Sequence, residues 1–522
     1  VVLREAPWMV AVGVGTGLLL AANPPLSHPW GSNWPHDFES AHFFWDPTSS
    51  YFGWRTPLFP LLLASLGKPM GYAAAAHAIA RASAAVLVLA AGTLGRAWSG
   101  PWAGALAALC VPLLQCAVES AAWTNMYPLA AATSAAAISL GAACARWPTR
   151  PGALGAGLVA GLAWKLNHLG LVTIPIVGGL LLLGLTRPAS SLRRISLAIL
   201  FTAGVGSAHG LDRWVVAHWS VPQEDLTGQV LQRRREELVR IRDSQDTKFS
   251  ACTDFEPKPL NLDELTNACA MQFLDSNYGT VVAEDCGPKP GLLLLLVPLA
   301  LLPAGGSRDR WEKMRSSAAS ALMIFGAAGA VYLGATWTSY SEKYILAFVP
   351  LMVAMIPVAG DRLGALLGRL GGQERLGRTI GLAAAASLAI TTWPRPTGLH
   401  ADAPRRDSGW EMVSGQAAGW AEKNVGPMDL LLDCVPLRVD LAMLPKEIPI
   451  RTGIGTQEPC SGWIKEPPAA EGKIYMLTRS YPELPHTQPD AINASGWRKL
   501  KRYDSTHHLW IRSASPSDAL SD

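Results

Sequence analysis

What most constrains this chain is a succession of apolar segments, each near the length a bilayer demands. A helix needs about 20 apolar residues to cross the hydrocarbon core, with a range of about 17 to 25. Candidate spans lie at 6–22, 73–95, 101–118, 125–145, 152–164, 168–186, 194–211, 290–304, 317–337, 344–360 and 378–393. Only 16% of the residues are charged, against about 25% in an average soluble domain. That deficit excludes an ordinary soluble protein, and the absence of any long basic run excludes a nucleic-acid partner. The 49 glycines and 39 prolines are compatible with membrane helices, whose neighbours satisfy the freed backbone groups. The expected fold is an α-helical polytopic membrane protein of about eleven spans, the first of them retained rather than cleaved as a signal peptide.

Basic residues set the orientation. With a cytoplasmic N-terminus, the cytoplasmic turns hold Arg96, Arg146, Arg150, Arg187, Arg193, Arg194, Arg308, Arg310, Lys313, Arg315, Arg362, Arg369, Arg375 and Arg378. The short outer loops hold only Arg55, Lys68, Lys165 and Lys343. The expected organisation is a membrane domain at 1–393, with outer loops 23–72 and 212–289, followed by an extracytoplasmic domain at 394–522. The Ala-, Gly- and Leu-heavy composition fits a bacterial inner membrane. Within the tail, an amphipathic stretch at 408–424 containing Trp410 and Trp420 reads as a helix. Apolar runs Met428–Cys434 and Lys473–Thr478 read as buried strands, which gives a small α/β domain. Cys434 and Cys460 share the tail and could form a bridge in an oxidising compartment. Cys252, Cys269 and Cys286 share the long loop, and Cys110, Cys116 and Cys144 read as small core hydrophobes.

The first outer loop carries the most unusual chemistry: Trp34-Pro35-His36-Asp37-Phe38-Glu39, then Asp46, Tyr51, Trp54 and Arg55. Two carboxylates just outside a span could hold a divalent cation, magnesium or manganese, or serve as a general base. Further polar groups are expected at the same depth. His77 and Arg81 begin the second span, Glu119 ends the third, Lys165, Asn167 and His168 interrupt an apolar hairpin, and Tyr340, Glu342, Lys343 and Tyr344 follow the ninth. Ionisable groups at membrane depth are costly, and so are usually paired or functional. Solvated acids in a loop and cations snorkelling to headgroups remain the plainer alternatives.

These residues resemble the GT-C glycosyltransferases, in particular the bacterial protein O-mannosyltransferase-like and aminoarabinose-transferase-like enzymes. The acidic first loop is followed by Trp54-Arg55-Thr56-Pro57-Leu58-Phe59-Pro60-Leu61-Leu62-Leu63. Arg81 with the span after it, Gly161-Leu162-Ala163-Trp164-Lys165, and Glu342-Lys343-Tyr344-Ile345-Leu346 with Pro350 resemble further family segments, and Trp410 to Asp433 resembles the start of an outer domain. Two departures stand out. Phe38 separates the acids that the family often places side by side, and the loop 212–289 is longer and more charged, with Arg233-Arg234-Arg235-Glu236-Glu237 reading as a solvated helix.

The resemblance implies transfer of a sugar from a polyprenyl-phosphate carrier to an acceptor glycan, lipid or protein on the outer face. By that likeness Asp37 is the general base, and Glu39 orients it or helps hold a metal. Lys165, Lys343, Arg55 and Arg81 are the cations available to the donor phosphate. His36, Asp46, Glu119, His168, Glu342 and Tyr344 are further candidates. A transporter or flippase of lipid-linked glycans, and a non-catalytic scaffold, are the competing readings. No internal repeat of the transporter kind is visible, and a scaffold has no use for polar groups gathered at one membrane depth.

Overall fold

The computed structural model describes residues 2–23, 34–45, 51, 56–183, 191–222, 290–302, 310–337, 346–392, 416–417, 419–421, 423–434, 450–452, 462–480, 487–503 and 507–512. The described residues of the expected spans lie mostly in helix. The helices are α1 (Val2–Ala21), α2 (Trp34–His42), α3 (Leu58–Met70), α4 (Tyr72–Ser99), α5 (Pro101–Cys110), α6 (Gln115–Ser120), α7 (Tyr127–Arg146), α8 (Arg150–Leu166), α9 (Thr173–Leu183), α10 (Ser191–His218), α11 (Pro290–Leu301), α12 (Arg310–Trp337), α13 (Val349–Leu370) and α14 (Glu374–Thr392). Among the described residues, α4, α7, α10 and α13 are long and apolar enough to cross a membrane. The protein is a helical bundle with the composition of an integral membrane protein.

Two differences from the expected outline have clear causes. The third segment is not one helix. Pro112 supplies no backbone N–H and crowds the preceding turn, so α5 gives way to a 3-10 turn at Val111–Leu113 before α6 resumes. The fifth to seventh segments also shift. α10 continues to His218 instead of ending at 211, because Asp212 is satisfied inside the bundle and need not leave it.

Close helix contacts run along glycines. A carbon added to Gly364 would meet the Gly377 carbonyl oxygen at 2.1 Å, and one added to Gly381 would meet that of Gly360 at 2.1 Å. Between α8 and α10, one added to Gly157 would meet the Phe201 carbonyl oxygen at 2.0 Å. Small residues that let backbones approach are how membrane helices associate when water exclusion gives no drive.

The α4–α5 corner and the ends of α11, α13 and α14 meet at one end of the bundle. There Arg362 departs from its expected place in a cytoplasmic turn. It lies within α13, is only 2% exposed, and donates to the Ala300 and Leu302 carbonyls that α11 leaves open at its C-terminus. Those hydrogen bonds are what make burying a guanidinium tolerable. Beside it Arg378 joins Asp361 at 3.6 Å and Glu374 at 2.9 Å. The hydrogen bond from Arg378 holds the Glu374 carboxyl below its usual range.

The tail residues form a five-stranded sheet of order β2-β1-β3-β5-β4, from β1 (Leu430–Asp433), β2 (Ile450–Thr452), β3 (Ile474–Arg479), β4 (Arg498–Arg502) and β5 (His507–Arg512). The β2-β1-β3 ladder is parallel and β3-β5-β4 antiparallel. Both faces are covered: Leu431, Tyr475, Leu477 and Leu509 pack with Ala417 and Ala421, while Leu432, Met476 and Trp510 pack with Ile464, Ile492 and Trp497. That double coverage explains why β1 is buried at every position. The two apolar runs expected as strands are β1 and β3. Cys434 carries a thiol, and Cys460, its suggested partner, lies outside the described residues. Cys110 and Cys144 are buried thiols, but Cys116, expected as a core hydrophobe, is in a disulfide whose other half lies outside the described residues.

Candidate functional site

The first outer segment, expected as a loop, contains a helix that carries its acid inward. α2 starts with Pro35 in its first turn, where the missing N–H costs nothing, and Asp37 follows where the helix dipole favours an acid. Phe38, Ala41, Phe43 and Phe44 bury against Phe59 and Leu63 of α3, Ala75, Ala76 and Ile79 of α4, Ala130 of α7, Leu166 of α8 and Val215 of α10. One apolar cluster therefore gathers six helices at this end. His42 stacks on Tyr72 at 4.8 Å between centroids, and Trp45 donates to the Ala64 carbonyl at 3.0 Å.

Asp37 is 0% exposed, and its Oδ2 accepts from the Met126 backbone N–H at 3.0 Å. Met126 caps α7 and offers no side-chain oxygen of its own. The carboxylate thus sits at the positive end of a long apolar helix, reached from another element. Asn125 Oδ1 takes the next N–H, that of Tyr127, at 3.1 Å. Buried polar side chains in the same and neighbouring segments include Ser40, His42, Thr56, His77, Ser120 and Thr124. An acid held this way has a fixed orientation. The helical spacing sets backbone positions 37 and 39 roughly 200° apart around the axis. Among the described residues no group of three potential ligands could hold a metal.

Lys165 ends α8 at the same end of the bundle, where its neighbour Leu166 accepts a hydrogen bond from Thr56 at 3.3 Å. Its ammonium lies 3.0 Å from Asp212 of α10 and 4.2 Å from the Trp164 ring centre. Both partners are largely buried, with side chains 15% and 6% exposed. Asp212 was not foreseen. A single acid in a 28-residue helix is the signal that could have found it, but the expected span ends one residue before it.

Arg81 donates to the Asn23 carbonyl, and Asn23 Nδ2 donates to Val118 at 2.7 Å, which ties α4, the end of α1 and α6. Glu119 accepts from Gln115 at 2.7 Å. Asp37, Lys165, Arg81 and Glu119 thus all fall at the α2 end. His36, Glu39 and His168 are described in backbone only. Asp46, Arg55, Glu342, Lys343 and Tyr344 lie outside the described residues.

No family model matches the sequence, and no curated protein matches it. Several solved structures are similar in chain path. ArnT from Cupriavidus metallidurans, bound to undecaprenyl phosphate, has 13% identity and a TM-score of 0.47, over 97% of this chain and 98% of that one. The oligosaccharyltransferase of Archaeoglobus fulgidus in its apo form has 12% identity and a TM-score of 0.41, over 81% of this chain and 58% of that one. Arabinofuranosyltransferase AftD from Mycobacteria has 13% identity and a TM-score of 0.44, over 98% of this chain and 42% of that one. All are GT-C superfamily glycosyltransferases. With every TM-score below 0.5, the likeness carries no inference to activity.

Proposed function

We propose that this protein is a membrane glycosyltransferase that moves a sugar from a polyprenyl-phosphate-linked donor to an acceptor hydroxyl at the outer face of a bacterial inner membrane. The observation that carries the reading is the buried, oriented Asp37 carboxylate at the bundle end that also holds Lys165 and Arg81. Acid and cations are the two groups such a transfer needs. A carboxylate takes the acceptor's proton as its oxygen attacks the sugar's anomeric carbon, and cations neutralise the departing phosphate. In this reading Asp37 is the base, and Lys165 and Arg81 attend the phosphate with Arg55 and Lys343. Glu39 orients the acceptor or contributes to a divalent metal.

The Lys165–Asp212 pair gives the reading a physical form. An unpaired ammonium at membrane depth is expensive, so Asp212 keeps the site neutral until an anionic headgroup arrives. The Cys116 disulfide supports the α2 end as the outer one, because disulfides persist in oxidising compartments. The eleven helical segments then run from a cytoplasmic N-terminus to an extracytoplasmic tail.

The test is transfer by the purified protein from radiolabelled polyprenyl-phosphate sugars to a membrane extract, with Asp37→Asn alongside. Transfer lost in a folded variant supports both the activity and the assignment of the base. Transfer unchanged in the variant removes Asp37 from the chemistry.

A further inference from the structure

β4 is an edge strand of sequence Arg-Lys-Leu-Lys-Arg, exposed at all five positions. Its other side pairs with β5, where Lys499 stands opposite Trp510 and Lys501 opposite Leu509. These two lysines are therefore on opposite faces of the sheet, and Arg498 and Arg502 extend the row along the edge. No acidic residue occurs from Ala491 to Tyr503. The row is also braced: the Lys499 ammonium lies 5.7 Å from the Trp510 ring centre, and that of Lys501 lies 4.7 Å from the Tyr503 ring centre.

A lone lysine would blunt an edge against unwanted pairing. Arg498, Lys499 and Lys501, on both faces and partly held by aromatic rings, go beyond that need. The bulge between Lys499 and Lys501 also twists the edge away from a flat partner strand. A second copy is excluded as partner, since edge-to-edge pairing would set like charges opposite each other.

We propose that the β4 edge is a docking surface for the anionic headgroups of the bilayer that holds the bundle. Helix α14 ends at Thr392 and the tail's next described residue is 416, so the sheet is covalently continuous with the membrane helices. A tether raises the effective concentration of the surface, and each cation near an anionic bilayer adds about fivefold to its occupancy. The inference concerns the tail alone and does not depend on the glycosyltransferase reading.

The test is hydrogen exchange on the full chain in nanodiscs of phosphatidylcholine, with and without phosphatidylglycerol. Amides of 498–502 should exchange about tenfold more slowly in the anionic discs. High salt and the double change Lys499→Glu with Lys501→Glu should each abolish that difference, while the amides of β3 stay protected and report an intact sheet. Equal exchange in the two discs overturns the proposal, as does slowing that survives the charge reversal. Slowing by added dextran sulfate in neutral discs, without any effect of phosphatidylglycerol, overturns it in favour of a soluble polyanion.

Discussion

Lys165 and Asp212 face each other at 3.0 Å across α8 and α10, both largely shielded from water. Removing one partner of a buried pair strands the other charge, at about 3 kcal/mol. Asp212→Ala should therefore lower thermal stability in detergent by about that amount, and Lys165→Met with Asp212→Leu should recover most of it. A single change without effect would mean that the pair is solvated. If Lys165 also meets the donor phosphate, the stable double variant should still bind polyprenyl phosphate poorly.

Asp37 serves α7 as well as any chemistry, and two substitutions separate the roles. Asp37→Asn keeps an acceptor for the Met126 N–H and should stay within about 1 kcal/mol of wild type while losing transfer. Asp37→Ala leaves that N–H open and should cost about 1–2 kcal/mol. Thermal unfolding followed by circular dichroism distinguishes them, and equal stability of the two variants would remove the capping role.

The α13–α14 contact predicts a steep dependence on one side chain. Gly364→Ala would set its Cβ 2.1 Å from a backbone oxygen, which only a backbone shift can relieve, at about 1–3 kcal/mol. Gly206 of α10 has nothing within 4 Å of that position. Gly206→Ala should be neutral or stabilising by up to about 1 kcal/mol. Melting temperatures of the two variants test the contrast.

Tyr503 predicts an alkaline limit for the C-terminal sheet. Burial raises its phenol pKa above the ordinary 10.0, so the folded form resists ionisation more than the unfolded chain does. The stability linked to this group is complete below pH 10 and is lost as pH rises toward the folded pKa. Tyr503→Phe should hold the sheet's near-ultraviolet circular dichroism to higher pH, with no loss at neutral pH. An unchanged alkaline midpoint would show that another group sets the limit.

Much of the bundle was legible in the sequence, because long apolar runs leave a helix few alternatives. What escaped depended on single residues or on distant partners. Pro112 breaks a run whose hydropathy is continuous. α2 is nine residues long, too short for a periodic signal to stand out among its aromatic and acidic residues. Arg362 looked like a loop marker because its carbonyl partners belong to α11. Asp37 and Lys165 were visible as unusual residues, but Met126 and Asp212, which fix them, are distant in sequence and nothing local announces them.

The backbone contact between α13 and α14 also has a mechanical consequence. With carbonyls pressed against glycine positions from Gly360 to Gly381, the two helices have no slack to slide or splay, and they behave as one stiff post.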